Sequence, residues 1–530
     1  MKITLLSLYP TETTARYLLS SYVLKAYLQE HYAEGRPDIH VLNLSVKTET
    51  SRICEKILES DADVVGYSGY TWNIEKILAT LEGLRGRCQA THVLGGPEIS
   101  TERILALPHP AAADYYVIGE GEKKLLNLLR CLQFNREVPC GELPAGVACW
   151  RDGRLHYVPE AESHDNLDDI PSIYLSGAIE DRFYARQQAF LETQRGCRFR
   201  CAYCVYGKNL PSIRYYSLER VFDELEHLIV EKEVTALRIF DALFTSDRER
   251  AKAIVRHVAQ LKSRVERLPW IYWESTYDRM DEEFMGLVGS LKYGASIRNW
   301  RDVVPQDRPQ HYTDMLRDYT AINCLGVQSF CDRALKAVRR PPVDREKFAA
   351  FMARAYRHNI VLKLDVILGL PFETVDSYFR GLELLLPHLE KTDHVLNIHR
   401  LQILPGSELE RLCPTHAVAY SSRAPHWVHA TGDMPERDLD RASKLTAVLF
   451  RILNSPLRGP FYDALRRSGE SPRRLLEDTL RAVAGCRELR ACRLVEDESV
   501  DDEYWNDAVF QEIPGEWLVE FLRNRYCARV

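Results

Sequence analysis

The chain lacks an excess of charge of either sign. Its 70 lysines and arginines are matched by 76 aspartates and glutamates, so the formal net charge is −6 at pH 7. Nucleic-acid-binding proteins need a basic footprint, and this composition provides none for the chain as a whole. Apolar runs of the about 20 residues needed to span a bilayer are also absent from the sequence. We therefore expect neither nucleic acid nor a membrane as a partner.

The sequence also lacks the features of a secreted protein. Residues 1–8 show no small-residue cleavage pattern and are typical of a strand, not of a signal peptide. The fourteen cysteines follow no regular framework, which predicts a reducing, cytoplasmic location without structural disulfides. Most of them are expected to be small buried apolar residues. A length of 530 residues predicts two or three domains.

Three cysteines form a motif: Cys197, Cys201 and Cys204, with the aromatic Tyr203 before the third. The C-x3-C-x2-C spacing places three thiolates on one tight loop. Each can bind one iron of a cubane [4Fe–4S] cluster, which leaves the fourth iron open to a substrate. A zinc knuckle is the alternative, but zinc sites usually take their ligands as two pairs and no second pair stands near this loop. The spacing therefore favours an iron–sulfur cluster.

This motif resembles that of the radical S-adenosylmethionine (SAM) superfamily. The resemblance implies that the open iron holds the amino and carboxylate groups of SAM, and that one electron cleaves SAM to a 5′-deoxyadenosyl radical. It also implies a low-potential electron donor, such as a flavodoxin or a ferredoxin, as a partner. The protein would then supply position and electrostatics for chemistry that belongs to its cofactors.

Upstream of the motif, residues 1–135 alternate between short apolar strands and helices, which predicts a parallel, doubly wound α/β sheet. Ligands bind such sheets beyond the carboxyl ends of the strands. Glycine-containing loops follow several of these strands, and glycine lets the backbone approach a ligand closely. We expect Asn73 also to cap the next helix. The candidate binding residues are Ser68, Tyr70, Trp72, Asn73, Gly95, Gly96, Pro97, Glu98, Gly119, Glu120, Gly121 and Glu122.

The loops resemble those of the Rossmann-like cobalamin-binding domain that precedes many radical SAM domains. Cobalamin proteins that bind cobalt through a histidine carry Asp-x-His-x-x-Gly after the first strand, and this chain lacks that motif. The resemblance therefore implies cobalamin bound base-off, with no protein nitrogen on cobalt. A domain that has lost cobalamin and acts only as a scaffold is the alternative.

Downstream, residues 136–186 predict an irregular linker that contains a hairpin turn signal at residues 150–154. Residues 187–404 resume the alternation, and their six predicted strands match the partial (β/α)6 TIM-type barrel of the radical SAM family. The family's Gly-Gly-Glu motif after the second strand is absent, so Asp241 stands as its substitute. The resemblance implies SAM contacts at Tyr203, Asp241, Glu274, Ser275, Gln328, Asp365 and Leu370.

Two further segments complete the chain. Residues 289–319 interrupt the alternation with arginines, aromatic residues and prolines, and are either a solvated loop or a substrate lid. Residues 405–530 predict a mostly helical extension, with helices over 439–453, 472–484 and 517–525. This extension resembles that of a subgroup of cobalamin-domain radical SAM proteins.

Together these features predict a class B type, cobalamin-dependent radical SAM enzyme that methylates an unactivated carbon or phosphorus centre of a small-molecule or peptide substrate. One alternative keeps the radical step but gives rearrangement, cyclisation or another group transfer, with cobalamin non-methylating or absent. A non-catalytic carrier or sensor of cobalamin and a cluster is the alternative from a different class. The sequence identifies neither the substrate nor a catalytic side chain.

Overall fold

The computed structural model describes residues 1–485 and four positions near the C-terminus, 520–521 and 524–525. Within 1–485 the gaps are 11–15, 33–36, 108, 110–111, 135–136, 160–164, 207–211, 292–320, 391, 393 and 454–457. The fold is α/β, as expected, with two sheets followed by helices. Nearly all of the predicted 289–319 insertion, and most of the helix predicted over 517–525, lie outside the described residues.

The N-terminal sheet has seven strands in the order β2-β1-β3-β4-β5-β6-β7. The first five pair in parallel, which confirms the predicted doubly wound arrangement. The strands are β1 (Lys2–Tyr9), β2 (Asp38–Ser45), β3 (Val64–Ser68), β4 (Thr91–Gly95), β5 (Tyr115–Val117), β6 (Val147–Arg151) and β7 (Arg154–Tyr157).

Helices cover both faces of this sheet. The connecting helices are α1 (Leu19–His31), α2 (Thr50–Ser60), α3 (Ile74–Leu84), α4 (Thr101–Ala106) and α5 (Glu122–Phe134). Apolar residues of α2, α3 and α4 share one core, whereas α1 and α5 belong to the core that continues into the second sheet. Strand order reverses between β1 and β3, and this switch point opens a crevice at the carboxyl ends of the strands.

The segment predicted as an irregular linker adds two strands to the N-terminal sheet. The predicted hairpin turn is present: Asp152 and Gly153 both have positive φ, at 50° and 73°, as a tight two-residue hairpin requires. Its strands β6 and β7 pair antiparallel, and β6 also pairs antiparallel with β5. The sheet therefore ends in an antiparallel edge, which the pattern of the linker did not predict.

The second sheet has six parallel strands in the order β15-β14-β13-β12-β11-β8, which is the open, partial barrel that was predicted. A two-stranded antiparallel ribbon, β9 with β10, stands at its edge and frames the cysteine motif. The strands are β8 (Gln188–Leu191), β9 (Gln194–Arg195), β10 (Arg214–Tyr215), β11 (Ala236–Ile239), β12 (Trp270–Ser275), β13 (Ala321–Gln328), β14 (Val361–Leu368) and β15 (Val395–Arg400).

Helices connect the barrel strands and form most of the described C-terminal region, where a short hairpin of β16 (Ala419–Tyr420) and β17 (Val428–Ala430) precedes them. Helices over Glu436–Leu453 and Pro472–Gly485 confirm the two that were predicted over 439–453 and 472–484. A third helix between them, Arg458–Ser468, was not predicted. No described helix is long and apolar enough to cross a membrane. The helices are α6 (Leu218–Glu226), α7 (Arg248–Leu261), α8 (Glu282–Ser290), α9 (Asp332–Ala337), α10 (Arg345–Arg357), α11 (Val375–Leu389), α12 (Glu408–Leu412), α13 (Glu436–Leu453), α14 (Arg458–Ser468) and α15 (Pro472–Gly485).

Buried tyrosines join the two sheets at the first barrel strand. The hydroxyls of Tyr17 and Tyr174 lie 3.0 Å apart, and the backbone N–H of Phe190 in β8 donates to both, at 3.2 and 3.1 Å. The rings of Tyr17 and Phe190 also pack, with centroids 5.2 Å apart. Buried hydroxyls that are hydrogen-bonded in this way fix orientation as well as contact. The carboxyl ends of the two sheets are thereby held against each other.

Candidate functional site

A cavity of about 670 Å³ lies where the carboxyl ends of the two sheets meet. This volume is in the range of ligand pockets in proteins, which is roughly 300–1,000 Å³. The described residues of its wall include no histidine. The predicted cobalamin residues in the wall are Ser68, Tyr70, Trp72, Gly95, Gly96, Pro97, Gly119, Glu120, Gly121 and Glu122.

Glycine is required where the loops after β3 and β4 meet. Gly96 has φ +104°, and a Cβ there would lie 2.5 Å from the carbonyl oxygen of Gly69. Backbone hydrogen bonds close this contact, since the N–H of Gly69 donates to Gly95 O at 2.7 Å and that of Glu98 to Gly69 O at 3.2 Å. The result is a stretch of wall formed by bare backbone, which a flat ligand can approach closely.

Two predicted cobalamin residues, Asn73 and Glu98, are not in the cavity wall but anchor the loops that are. Asn73 stands at the start of α3, but its side chain does not cap that helix: Oδ1 accepts from Tyr70 N at 2.7 Å and Nδ2 donates to Ser68 O at 3.1 Å. Glu98, 1% exposed, accepts from Thr71 Oγ1 at 2.8 Å. Both residues act on the cavity through the loops that they hold.

An aromatic pair forms another part of the wall. The rings of Tyr70 and Trp72 are stacked, with centroids 4.4 Å apart and planes 15° from parallel. The Tyr70 hydroxyl donates to Ser20 Oγ at 3.0 Å, and burial raises the pKa of Tyr70, so it stays protonated. The indole of Trp72 is 39% exposed, large for an aromatic side chain at a cavity. A stacked, partly open aromatic surface of this kind can cover the face or edge of a planar ligand.

The cysteine motif lies on the loop between β9 and β10, which we call the cluster loop (residues 196–213, of which 207–211 are not described). Gly196 begins it with φ +103°, where a Cβ would lie 2.9 Å from Ser212 O. Cys201 is 7% exposed, while Cys197 and Cys204 are half-buried. The two ends of the loop therefore lie close together, and the three cysteines stand on the segment that joins them.

The surroundings of the thiols suit a cluster. Burial raises the pKa of Cys197, so its thiolate needs compensation by a cation or a metal. The Arg340 guanidinium donates through Nη1 to Cys201 Sγ at 3.7 Å and lies 4.9 Å from the Phe199 ring centre. The backbone N–H of Tyr206 donates to Cys204 Sγ at 3.3 Å. Such donors to sulfur are found at iron–sulfur sites, where they tune the potential.

Tyr206 links the cluster loop to the cavity. Its backbone N–H is bound to Cys204, its hydroxyl donates to the Phe240 carbonyl at 3.0 Å, and its ring lies in the cavity wall. Gly196 and Val205 of the same loop also line the cavity. The three-thiol loop and the loops of the N-terminal sheet therefore face one common space.

Asp241, the substitute for the missing glutamate motif, is occupied by its own backbone neighbours. Its Oδ1 accepts from Thr193 N at 2.7 Å and from Gln194 N at 3.1 Å, and its Oδ2 accepts from Thr193 Oγ1 at 2.5 Å. Burial raises its pKa to about 7 despite these bonds. Asp241 therefore ties the segment after β11 to the segment after β8. A direct SAM contact stays a prediction.

Two predicted SAM residues, Glu274 and Ser275, have hydrogen-bond partners inside the barrel, and a third, Leu370, is apolar. Glu274 Oε1 accepts from Tyr272 OH at 2.6 Å, and Ser275 Oγ lies 2.8 Å from Thr245 Oγ1. Leu370 is fully buried. Their SAM contacts, like that of the half-buried Tyr203 on the cluster loop, stay predictions.

Asp365 is the centre of a cluster of polar side chains inside the barrel, of which only Asp365 was predicted from the sequence. It accepts from the Cys324 thiol at 2.6 Å and from Asn397 Nδ2 at 2.7 Å, and Lys363 Nζ lies 3.8 Å away. Burial would raise its pKa, but the charge of Lys363 and the His399 hydrogen bond outweigh burial and hold the pKa below its usual value. Lys363 and Asp365, two residues apart on one strand, share a face, and this alternation was the available signal.

Arg340 and Gln328 complete the barrel side of the site. Arg340 Nη2 donates to the carbonyl of Gly326, so one guanidinium joins β13 to Cys201. Gln328 has φ +68°, and its Nε2 would lie 2.5 Å from a Cβ on Gly326. Arg340 was not predicted. The neighbouring Arg339 is also an arginine, yet it pairs with Glu408 on the surface. Residue type and position in the sequence therefore do not show which of the two contacts the cluster loop.

Comparison with known proteins agrees with this arrangement. A family model described as the B12 binding domain matches residues 19–129, and one described as the radical SAM superfamily matches residues 191–384. These matches confirm both family resemblances of the sequence analysis.

Two curated relatives are methyltransferases by description. The cobalamin-dependent radical SAM methyltransferase TokK of Streptomyces tokunonensis is 26% identical over 364 residues, which cover 66% of this chain and 48% of TokK. The 2-(S-pantetheinyl)-carbapenam-3-carboxylate methyltransferase of Streptantibioticus cattleyicolor is 25% identical over 366 residues, with the same coverage of 66% and 48%. The chain thus spans about half the length of these relatives.

Solved structures share the fold at low identity. The radical SAM methyltransferase TsrM of Kitasatospora setae, with cobalamin and a [4Fe–4S] cluster bound, superposes with a TM-score of 0.63 at 13% identity, covering 99% of each chain. The cobalamin-dependent SAM radical enzyme OxsB, with aqua-cobalamin and SAM bound, gives 0.64 at 14% identity and covers 100% of this chain and 80% of OxsB.

Proposed function

Since the chain is a radical SAM protein with an N-terminal B12-binding domain, we propose that it is a cobalamin-dependent methyltransferase. The methyl group comes from SAM, and the acceptor is an unactivated carbon or phosphorus centre of a small molecule or peptide. The observation that carries the proposal is the continuity of one cavity. The backbone wall at Gly96 and Gly119 and the ring of Tyr206 on the cluster loop face the same space.

The residues present fit the two resident cofactors that this function needs, a [4Fe–4S] cluster and cobalamin. Cys197, Cys201 and Cys204 offer three thiolates for a [4Fe–4S] cluster, and the loops after β3, β4 and β5 offer a backbone-lined wall for cobalamin. When bound, the cluster supplies the electron that cleaves SAM, and cobalamin serves as the carrier of the methyl group. With no histidine among the described residues of the wall, we expect no protein imidazole to bind cobalt.

The contribution of the chain is to orient SAM and the acceptor and to keep water away. Arg340 presents a guanidinium beside the cluster loop, where it can pair with the SAM carboxylate, since guanidinium and carboxylate groups match in geometry. Asp365 is ionised at neutral pH and can accept hydrogen bonds from the amino or hydroxyl groups of SAM. The apolar part of the cavity wall, with Leu5, Val93 and Phe240, excludes water, which protects reactive species from side reactions.

The test is an anaerobic assay with SAM labelled in its methyl group, a low-potential reductant, and the cluster- and cobalamin-loaded protein. We expect S-adenosylhomocysteine and 5′-deoxyadenosine in about equal amounts, because one SAM supplies the methyl group and a second supplies the radical. Labelled methyl should appear on the product, detected by mass spectrometry. The variant with all three motif cysteines changed to alanine should form no 5′-deoxyadenosine.

The outcomes separate the alternatives. Formation of 5′-deoxyadenosine without label on any product would contradict methyl transfer and favour rearrangement or cyclisation. A loaded protein that never cleaves SAM, with candidate substrates present or absent, would favour a non-catalytic carrier or sensor. The neighbouring genes are the most direct source of candidate substrates.

A further inference from the structure

Charged side chains join the N-terminal sheet to the cluster loop. Arg195 ends β9, two residues before Cys197, and Arg214 begins β10 at the other end of the loop. Glu120, in the loop after β5, and Glu122, the first residue of α5, reach them from the N-terminal sheet. The two arginines stand opposite in the antiparallel ribbon, because Arg195 pairs with Arg214 in its register. We call these four residues the interdomain ion network.

The geometry of the interdomain ion network is specific. Arg214 holds Glu120 with both ends of its guanidinium: Nη1 donates to Oε2 at 3.0 Å and Nη2 to Oε1 at 2.7 Å. Arg195 divides its donors, with Nη1 on Glu120 Oε1 at 3.0 Å and Nη2 on Glu122 Oε1 at 2.8 Å. Its Nε donates to Glu192 at 2.9 Å. A planar, bidentate fork fixes orientation in a way that a single contact does not.

These ion pairs are buried, unlike most on this protein. The side chains of Glu120, Glu122, Arg195 and Arg214 are only 16%, 5%, 12% and 6% exposed. Removing one member of a buried pair leaves its partner charged and uncompensated, which is strongly destabilising for the local arrangement. The network therefore constrains both ends of the cluster loop more firmly than surface pairs would.

Glu120, Glu122 and Arg195 of the network also line the cavity, so the two carboxylates could serve either the network or a ligand. From the sequence, Glu120 and Glu122 were expected to contact cobalamin. Yet both carboxylate oxygens of Glu120 are already bound to arginine, and burial of Glu122 is outweighed by Arg195, which keeps its pKa below the usual value. A carboxylate engaged in this way has little capacity left to receive a ligand.

We propose that Glu120 and Arg214 are positioning residues, which set where the cluster loop stands relative to the cobalamin cavity and do not themselves bind cobalamin. The proposal rests on the cofactors of the proposed function, but it requires no particular acceptor or product. The Gly-Glu-Gly-Glu segment, residues 119–122, would then hold the cluster loop in place beside the cobalamin cavity.

The test uses full-length, cluster-reconstituted protein and compares E120A, R214A and the double variant. Without cobalamin, we expect each single change to slow 5′-deoxyadenosine formation about tenfold or more, since misplacement by about 1 Å can cost 100-fold. The double variant should be no slower than the worse single variant, because the two residues act as one pair. The dissociation constant for hydroxocobalamin should change less than about threefold, a difference below 1 kcal/mol.

Conservative variants keep the test valid if the alanine variants do not fold. E120Q removes a negative charge near the cluster and should raise its midpoint potential, whereas R214M removes a positive charge and should lower it. Both should slow SAM cleavage, although their potentials move in opposite directions. The control pair is Arg151, at the end of β6, and Glu137, which form a surface ion pair of 2.7 Å and whose alanine variants should match the wild type.

Three results would overturn the proposal. One is E120A losing cobalamin affinity more than about tenfold while SAM cleavage is unchanged, which identifies a ligand. Another is a double variant whose effect equals the product of the single effects, which shows independent residues. The third is a folded E120Q with wild-type cleavage rate and wild-type electron paramagnetic resonance signal. Failure of methyl transfer itself leaves these readouts intact, since none requires a methylated product.

Discussion

A bulky replacement of Gly96, as in Gly96→Val, should abolish cobalamin binding. The glycine sits at φ +104°, and a Cβ at this position would lie 2.5 Å from Gly69 O and 2.6 Å from Gly69 N. Contacts this short between a Cβ and backbone cannot be relieved by a rotating side chain. The loop after β3 or the loop after β4 must move, and both form the cavity wall.

The magnitude follows from two additive costs. The left-handed backbone conformation costs a non-glycine residue roughly 1–2 kcal/mol. Displacing the Gly69 backbone adds the loss of its hydrogen bond to Gly95 O, which is worth about 1 kcal/mol. For Gly96→Ala the two costs add to roughly 2–3 kcal/mol. If half of this total is lost from the free energy of cobalamin binding, the dissociation constant rises about tenfold, because 1.4 kcal/mol corresponds to that factor. A larger side chain, as in Gly96→Val, should bring binding below detection.

The assay is titration of purified protein with hydroxocobalamin, followed by its base-off absorbance, together with urea unfolding. Gly153→Ala is the matched control: it has φ +73° in the β6–β7 turn, but a Cβ there has nothing within 4 Å. Gly153→Ala should lower the free energy of unfolding through the backbone conformation alone, and it should bind cobalamin as the wild type does. If Gly96→Val and wild type bind equally, or if both fail to retain cobalamin through gel filtration, the assignment of the cavity is wrong.

Four further predictions concern single features. Changing Cys197, Cys201 and Cys204 together to alanine should remove the about four irons per chain expected of a cubane cluster, measured by iron analysis after anaerobic reconstitution, and retained iron would contradict the assignment. Arg340→Lys keeps the positive charge but loses the guanidinium that contacts both Cys201 and Gly326. We expect the rate of SAM cleavage to fall about tenfold and the KM for SAM to rise. The control Arg339→Lys should have no effect. Burial raises the pKa of Glu373 from 4.5 to about 8, so the folded state holds this proton more tightly than the unfolded state. The stability from this group is complete below about pH 4.5 and is lost as the pH rises through about 8, and Glu373→Gln should flatten the urea-unfolding profile over that window. Arg458 is 1% exposed and donates to the carbonyls of Leu389, Thr392 and His394 at 2.8, 2.7 and 3.1 Å. Arg458→Met should therefore reduce the free energy of unfolding by about 3 kcal/mol. As the control, Arg466→Met removes an exposed ion pair and should reduce it by less than about 1 kcal/mol.

Local patterns carried the prediction of the fold and of the cluster motif. Strand and helix periods, and glycines after strands, are properties of neighbouring residues, so both sheets and most loops of the cavity were predictable. The cysteine spacing is local in the same sense, because one short loop brings Cys197, Cys201 and Cys204 together. The missing Asp-x-His-x-x-Gly motif is a local feature as well, and the expectation that no protein nitrogen binds cobalt rests on it.

Long-range pairing decided the rest. The hairpin at Asp152 and Gly153 was predicted, but its attachment to β5 depends on hydrogen bonds between residues about thirty positions apart, which no local pattern encodes. The helix over residues 458–468 was missed, because its helical signal is weak and the carbonyls that Arg458 satisfies belong to distant segments.

The roles of charged residues were the least predictable, for the same physical reason. Asn73, Glu98 and Glu120 stand in loops that a sequence assigns to a ligand, yet their partners are Ser68 and Tyr70, Thr71, and Arg214 respectively. A carboxylate or amide takes its function from whichever donor the fold brings within hydrogen-bond distance. The sequence determined which chemical groups are present at the strand ends. Only the tertiary structure decided which of them face the cavity and which are bound to one another.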